Sequence, residues 1–456
     1  MSRRVAINAV WNLFGVGLPI LAGIMAVPML LHGLGSARLG VFSLALGLFG
    51  FSGLFDFGLG RALTQTVASE QGKGSSLAAI AGLVRQGLLA VLILGVVWGG
   101  VLWIGATPIV RDLFHLTDSI ALETIQGIHW LAITLPLVLL SASLIGLLEG
   151  LQHFRNINFL RAPIGAATFL VPAVIAQTTN DLGWVIAGLA LTRVLGVVLW
   201  GLIVIRSFPL FDRHEGSSLN ATAMWRFTGW LSVSNLVSPI MVYADRFYLA
   251  SVFPPAVVAL YTVPLDALLR ATVLPSSAMN AAFPALAHLG AKAEHESAQK
   301  IIRSAGWLMM GLWFLPVLVV GALLPFLLTI WLGSDFAQRI FTISQWILLG
   351  VLANGFAYIP FALLQSAGRS DLTAKLHMLE LPFYAVALVY LVSQFGITGA
   401  AIAWFGRVLF DAAVLYGVAF FQFDTLRRVL GQLAIRVGIA ILSLMGALML
   451  SAYIQN

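Results

Sequence analysis

Arg193, Arg246, Arg270 and Arg407, together with Asp56, Asp245, Asp266, Glu380 and Asp411, stand inside runs of residues that are otherwise apolar. A guanidinium is a planar fork of donors matched to phosphate, so arginines held away from bulk water can receive an anion. A deeply buried carboxylate near them changes protonation as its surroundings open or close, which is the chemistry of ion coupling. The stretch VYADRFYLASVF (242–253) sets Asp245 and Arg246 side by side. Asp266 with Arg270, and Arg407 with Asp411, are four residues apart, which puts each pair on one helix face where its members can partly neutralise each other. Glu380 has only His377 and Tyr384 at such a spacing, and is the candidate for proton coupling, against a plain hydrogen bond to His377 or to a neighbouring helix. The plainer reading of all these groups is that they clasp helix to helix and fix packing. The residues alone leave both readings open.

The elements that position these groups follow from composition. Of 456 residues, 60% are apolar and 9% charged, far from the roughly 25% charged content of a soluble domain. A hydrocarbon core of about 30 Å takes roughly 20 apolar residues in a helix. Runs of that kind lie near 8–31, 40–62, 77–104, 124–148, 157–178, 183–206, 227–252, 257–284, 304–330, 340–365, 373–393, 399–421 and 432–453. The chain is read as an all-α polytopic membrane protein. Each charge at the bilayer centre costs about 2.5–3.5 kcal/mol even on lenient scales, so the intramembrane charges should face protein or water. Met-Ser-Arg-Arg before an apolar run suggests a signal peptide, but 8–31 is too long for one and reads as a retained first helix.

With a cytoplasmic N-terminus, the connections on that side carry Arg3, Arg4, Arg61, Lys73, Arg85, Arg155, Arg161, Arg213, Arg226, Lys292, Lys300, Arg303, Arg369, Lys375, Arg427 and Arg428. Opposite lie Arg38, Arg111 and Arg339. This asymmetry is the positive-inside bias, and it accounts for most of the net charge of +7 without a nucleic-acid surface. RSFPLFDRHEGSSLNATAMW (206–225) contains the longest connection and reads as a linker near the midpoint. HLGAKAEHESAQKIIRS (288–304) reads as a solvated cytoplasmic helix.

The halves repeat. LLEGLQHFRNINFLRAPIGAATFLVPAVIAQTTNDLGWVIAGLALTRVL (147–195) and LLQSAGRSDLTAKLHMLELPFYAVALVYLVSQFGITGAAIAWFGRVL (363–409) share a leading Leu-Leu, a polar turn, a Pro-containing helix, a Gly-bearing turn and a closing Arg-Val-Leu. Arg193 and Arg407 become equivalent, and a rise of about 1.5 Å per residue places both near midplane. Six helices per half give both halves the same orientation, a parallel repeat about an axis along the membrane normal. The expected organisation is an N-lobe (1–210), a cytoplasmic linker (211–226), a C-lobe (227–424) and an additional C-terminal helix (425–456). Arginines at equivalent depth in the two lobes would converge on one cationic cavity.

Other chemistries find little support. Without cysteine there is no disulfide framework or thiolate site. HGLGS (32–36) and GLGR (58–61) follow helices rather than strands, so they read as caps and tight turns instead of phosphate loops. The histidines are scattered without a metal-binding motif, and no nucleophile elbow is present.

The segment NAVWNLFGVGLPILAGIMAVPMLLHGLGSARLGVFSLALGLFGFSGLFDFGLGRALTQTVA (8–68) resembles the first two helices of Wzx-type polysaccharide flippases. WLSVSNLVSPIMVYADRFYLASVFPPAVVALYTVPLDALLRATVLPSSAMNAAFPALA (230–287) looks like that family's seventh and eighth helices, and LLQSAGRSDLTAK with FGITGAAIAWFGRVLFD its tenth to twelfth. Their superfamily, the multidrug/oligosaccharidyl-lipid/polysaccharide exporters, also holds lipid II flippases and multidrug-cation extruders. The resemblance implies a MATE-like bundle of two six-helix lobes. It also implies translocation of undecaprenyl-pyrophosphate-linked oligosaccharide from the inner to the outer leaflet of the bacterial inner membrane, with the sugar head passing through a cationic central cavity. Asp56, Asp245, Arg246 and Arg407 fall within the matching motifs, Arg193 and Arg270 are assigned by repeat and spacing, and Arg61 and Arg85 join the candidate cationic set. No cofactor is expected beyond a coupling proton, sodium or the membrane potential. The expected partners are the lipid-linked glycan and membrane lipids, with polymerase and chain-length machinery as protein candidates, around a monomeric chain that is not an enzyme. The alternatives are a lipid II flippase, a MATE-type cation/proton antiporter and, with only short outer loops to serve it, a membrane glycosyl ligase or polymerase.

Overall fold

The computed structural model describes residues 3–50, 55, 59–72, 74, 76–116, 118–151, 153–210, 241–291 and 295–455, all of it helix and short connections. Eleven helices among these residues are long and apolar enough to cross a membrane. The chain is a multi-pass membrane protein. Asp56 and the expected linker 211–226 lie outside the described residues.

α1 (Arg3–Gly50) covers the first expected span, the turn and the start of the second as two helical stretches joined at Gly35, where the backbone leaves helical geometry. Gly35 has φ 74°, a left-handed conformation that only glycine adopts at little cost, so the HGLGS turn is a kink. α2 (Leu59–Gly72), α3 (Leu77–Pro108), α4 (Asp118–Gly150), α5 (Phe154–Ile175) and α6 (Leu182–Ser207) follow. α3 runs on through a π-turn at Ile109–Leu113. α6 starts on Asp181, whose side chain accepts a 2.7 Å hydrogen bond from the Gly183 amide. That cap satisfies one of the orphan donors of the first turn.

Residues 241–252 form α7, and α8 (Pro255–Leu269) passes through a 3₁₀ turn (Arg270–Thr272) into α9 (Val273–Ala291). α10 (His295–Met309) leads without a break through a π-turn into α11 (Leu315–Ala322). The polar segment expected as one helix over 288–304 is divided, 288–291 ending α9 and 295–304 opening α10, which runs on into the next span. α12 (Leu324–Leu332), α13 (Ser334–Ser366), α14 (Ser370–Phe395), α15 (Ile397–Gln422) and α16 (Arg427–Gln455) complete the chain. α16 is the additional C-terminal helix, and its apolar stretch is itself long enough to span.

The residues group into two compact units, Met1–Ala259 and Leu260–Asn456. In the first, Leu63, Val67, Ile80, Val84, Leu147, Leu148 and Trp200 form a buried cluster where α2 to α6 meet. Residues 250–255 belong to this unit by contact, since a Cβ on Gly40 of α1 would collide with the carbonyl of Pro255. In the second, α13 is the central helix, 83% of its apolar window being buried. Helices without a hydrophobic force between them pack through small residues that let backbones or rings approach. Gly355 and Gly350 of α13 serve this way, lying against the indoles of Trp313 and Trp404. Ile104, Phe383, Phe421 and Leu442 are exposed, as side chains in contact with lipid should be.

Candidate functional site

In the first unit, Asp245 and Arg246 lie on α7 and are almost wholly buried, at 0% and 3% exposure. The Asp245 carboxylate accepts a 2.8 Å hydrogen bond from the Arg246 backbone amide. The Arg246 guanidinium carbon lies 4.9 Å from the centre of the Tyr243 ring, one helical turn earlier on the same face. A cation over an aromatic face is attracted by the ring quadrupole, which offsets part of the cost of leaving water. α1 passes beside this pair, a Cβ built on Gly47 lying in ordinary contact at 3.7 Å from Tyr243 Cδ1 and 4.0 Å from Arg246 Nη1. The adjacent acid and base are thus both drawn inside, and the base rests on a ring.

Arg193 lies near the middle of α6, half-buried between Thr192 and Val194. Arg85 donates to the backbone carbonyl of Leu210 at 3.2 Å, which ties α3 to the end of α6. Arg61 is on α2, and its side chain falls outside what is described.

A stronger polar contact of this unit escapes sequence reasoning. Arg38 of α1 forms a two-pronged ion pair with Glu123 of α4, Nε to Oε2 and Nη2 to Oε1 each at 2.6 Å. Glu123 Oε2 also accepts from the Leu182 amide at 3.1 Å, so one carboxylate fastens α1, α4 and the first turn of α6. Charge-assisted bidentate pairs of this kind contribute most when, as here, they are partly shielded. Arg38→Ala or Glu123→Ala is expected to lower the stability of the folded protein by about 1.5–3 kcal/mol. The reciprocal exchange Arg38→Glu with Glu123→Arg should recover a substantial part, read by thermal unfolding of purified protein. Equal losses in the single and exchanged forms would show that the pair itself contributes nothing.

In the second unit, Arg407 of α15 rests against Tyr384 of α14, its guanidinium carbon 5.3 Å from the ring centre. The i to i+4 pairing expected of Arg407 with Asp411 is not the arrangement found among the described residues. Asp411 Oδ1 is 3.6 Å from His377 Nε2 on α14. Cross-helix neighbours select these rotamers, because a residue at i+4 can be reached in several ways and the facing helix offers a ring to the base and an imidazole to the acid. Glu380, one turn beyond His377, is 2% exposed. His377, Glu380 and Asp411 each bring a ligand-type atom to within 4.8 Å of the others, the one such trio among the described residues. Asp266 and Arg270 flank the junction of α8 with the 3₁₀ turn, both half-buried.

A guanidinium seated on a tyrosine ring therefore occurs in each unit. Tyr243 is legible as the residue three before Arg246. Tyr384 is not, since its partner lies on the next helix.

The fold is that of a MATE-type membrane bundle. An inward-facing MATE family transporter of the MOP superfamily superposes with a TM-score of 0.66 over 91% of this chain and 99% of that one, at 15% identity. The lipid II flippase MurJ in an inward closed conformation gives 0.67 over 98% of each chain at 11% identity. The model of the family described as "Polysaccharide biosynthesis protein" matches residues 5–290. A "Putative O-antigen transporter" of Shigella flexneri is 31% identical over 409 residues, 90% of this chain and 96% of that protein. This chain belongs to the polysaccharide biosynthesis protein family.

Proposed function

We propose that this protein is a flippase, carrying undecaprenyl-pyrophosphate-linked oligosaccharide across the bacterial inner membrane by alternating access for the synthesis of surface polysaccharide. Its N-terminus faces the cytoplasm, as the lysine and arginine asymmetry of the loops favours. The pyrophosphate is received by intramembrane arginines along a cationic path, with Arg246 and Arg407 first among them, then Arg193 and Arg270. The observation that carries this reading is Arg246, a permanently charged group at 3% exposure whose guanidinium lies over the Tyr243 ring. A buried guanidinium is suited to the bidentate hydrogen bonds of a phosphate. The likeness to an O-antigen transporter over most of both chains supports the same substrate class. A carrier of organic cations would instead need acids facing its path without matching bases.

Deleting the gene tests the reading. The expected result is accumulation of a pyrophosphate-linked oligosaccharide on the inner leaflet together with loss of surface glycan. Accumulation of the peptidoglycan precursor lipid would place the chain among lipid II flippases, and unchanged lipid-linked pools would sink both assignments.

A further inference from the structure

The cluster of His377, Glu380 and Asp411 has a charge problem that the proposed pyrophosphate path does not use. Both carboxylates lie within spans, on facing turns of α14 and α15. Glu380 is 2% exposed, and neither of its oxygens accepts a hydrogen bond from a donor group in the described residues. An ionised carboxylate so placed costs several kcal/mol in lost hydration unless something positive compensates it. Arg407 and His377 are the bases within electrostatic reach of Glu380, and Arg407 is shared with the Tyr384 ring. α13, the other helix packed on α14, brings no charge to this depth, since its Asp335 and Arg339 lie in the first two turns. Whenever the imidazole is neutral, two carboxylates and one guanidinium leave the cluster one negative charge in excess.

We propose that this cluster is a binding site for one exchangeable proton, held between the Glu380 and Asp411 carboxyls and passed to them by His377. A proton restores neutrality and gives Glu380 the hydrogen bond it lacks, acting as donor to Asp411. A sodium ion would also balance the charge, but imidazole is a poor ligand for a hard cation. A divalent ion would leave a net positive charge beside Arg407. His377 suits the role of conduit because its side chain is 32% exposed while touching the buried pair, and because imidazole gains and loses protons near neutral pH. Protonation removes the negative charge that competes for Arg407 and frees its guanidinium for an anion. When the proton leaves through His377 the carboxylates reclaim Arg407 and the anion is released. This last step rests on the pyrophosphate reading above; the proton site does not.

The experiment uses the full-length purified protein in lipid nanodiscs, without substrate. Infrared difference spectra across the neutral pH range should show a carboxyl band that titrates, absent from Glu380→Gln and from Asp411→Asn. His377→Gln should keep the band and slow its appearance after a pH jump. Binding of undecaprenyl pyrophosphate should weaken by about tenfold per pH unit once pH exceeds the midpoint of that titration. Glu380→Gln, an isosteric mimic of the protonated acid, should bind with no such dependence. Absence of a titrating carboxyl in the wild type overturns the proposal. So does a band whose midpoint is set by sodium, or saturable zinc or manganese binding that His377→Gln abolishes without any proton uptake. A titrating band lost in both carboxyl variants, with pyrophosphate binding insensitive to pH, upholds the proton site and overturns the pyrophosphate reading instead.

Discussion

Arg246→Ala is expected to abolish surface-glycan export while the protein remains folded in the membrane at near wild-type abundance. The two halves of that statement have separate physical grounds. The protein is expected to stay folded, because the loss of a ring contact of about 0.5–2 kcal/mol is accompanied by relief of the burial of a charge. The hydrogen bond that satisfies Asp245 comes from the backbone amide of residue 246, which alanine retains. Transport suffers far more. Two charge-assisted hydrogen bonds to a phosphate, at about 1.5–3 kcal/mol each, correspond to a loss on the order of a hundredfold or greater in binding. Arg246→Lys keeps the charge but loses the fork, and should fall between, within about tenfold of wild type. Cell-surface glycan quantified beside membrane abundance reads both halves. Full export by the alanine variant would mean that Arg246 is a packing residue.

Arg407→Ala should give the second large effect, and for a partly different reason. Here the guanidinium is within electrostatic reach of Glu380 as well as on Tyr384, so its removal deletes a candidate phosphate donor and also deepens the negative charge of the cluster. Export is expected to fall on the order of a hundredfold. Adding Glu380→Gln should restore the folding and abundance of the Arg407→Ala protein, if these are reduced, without restoring export. Tyr384→Phe leaves a ring face for the guanidinium and should be nearly silent, whereas Tyr384→Ala removes it. Recovery of export by Glu380→Gln in the Arg407→Ala background would show that Arg407 serves only to neutralise the acids.

The membrane helices were legible in the sequence because the requirement that sets them, about 20 apolar residues per crossing, is local and one-dimensional. The Gly35 kink was legible for a similar reason, a glycine in a short Gly-rich break. Helix continuity was less so. The polar residues 295–303 are charged at helical spacing whether they stand alone or open a span, and only packing decides that α10 runs on into α11. Among the site residues, the intramembrane charges announced themselves by their cost in lipid. Their partners did not. Arg38 and Glu123 are 85 residues apart, and Glu123 reads as part of a loop until α4 is seen to begin at Asp118. Asp411 prefers His377 to the arginine one turn away, a choice made by the facing helix and invisible in i to i+4 spacing.

The most direct measurement is leaflet exchange in vesicles holding the purified protein and a tagged undecaprenyl-pyrophosphate oligosaccharide, scored by a glycosidase that cannot cross the bilayer. Wild-type vesicles should render the inner-leaflet glycan cleavable within the assay, and those with Arg246→Ala or Arg407→Ala should keep it protected, like empty liposomes. Equal exposure with and without the two guanidinium groups, or none in the wild type, would contradict the mechanism.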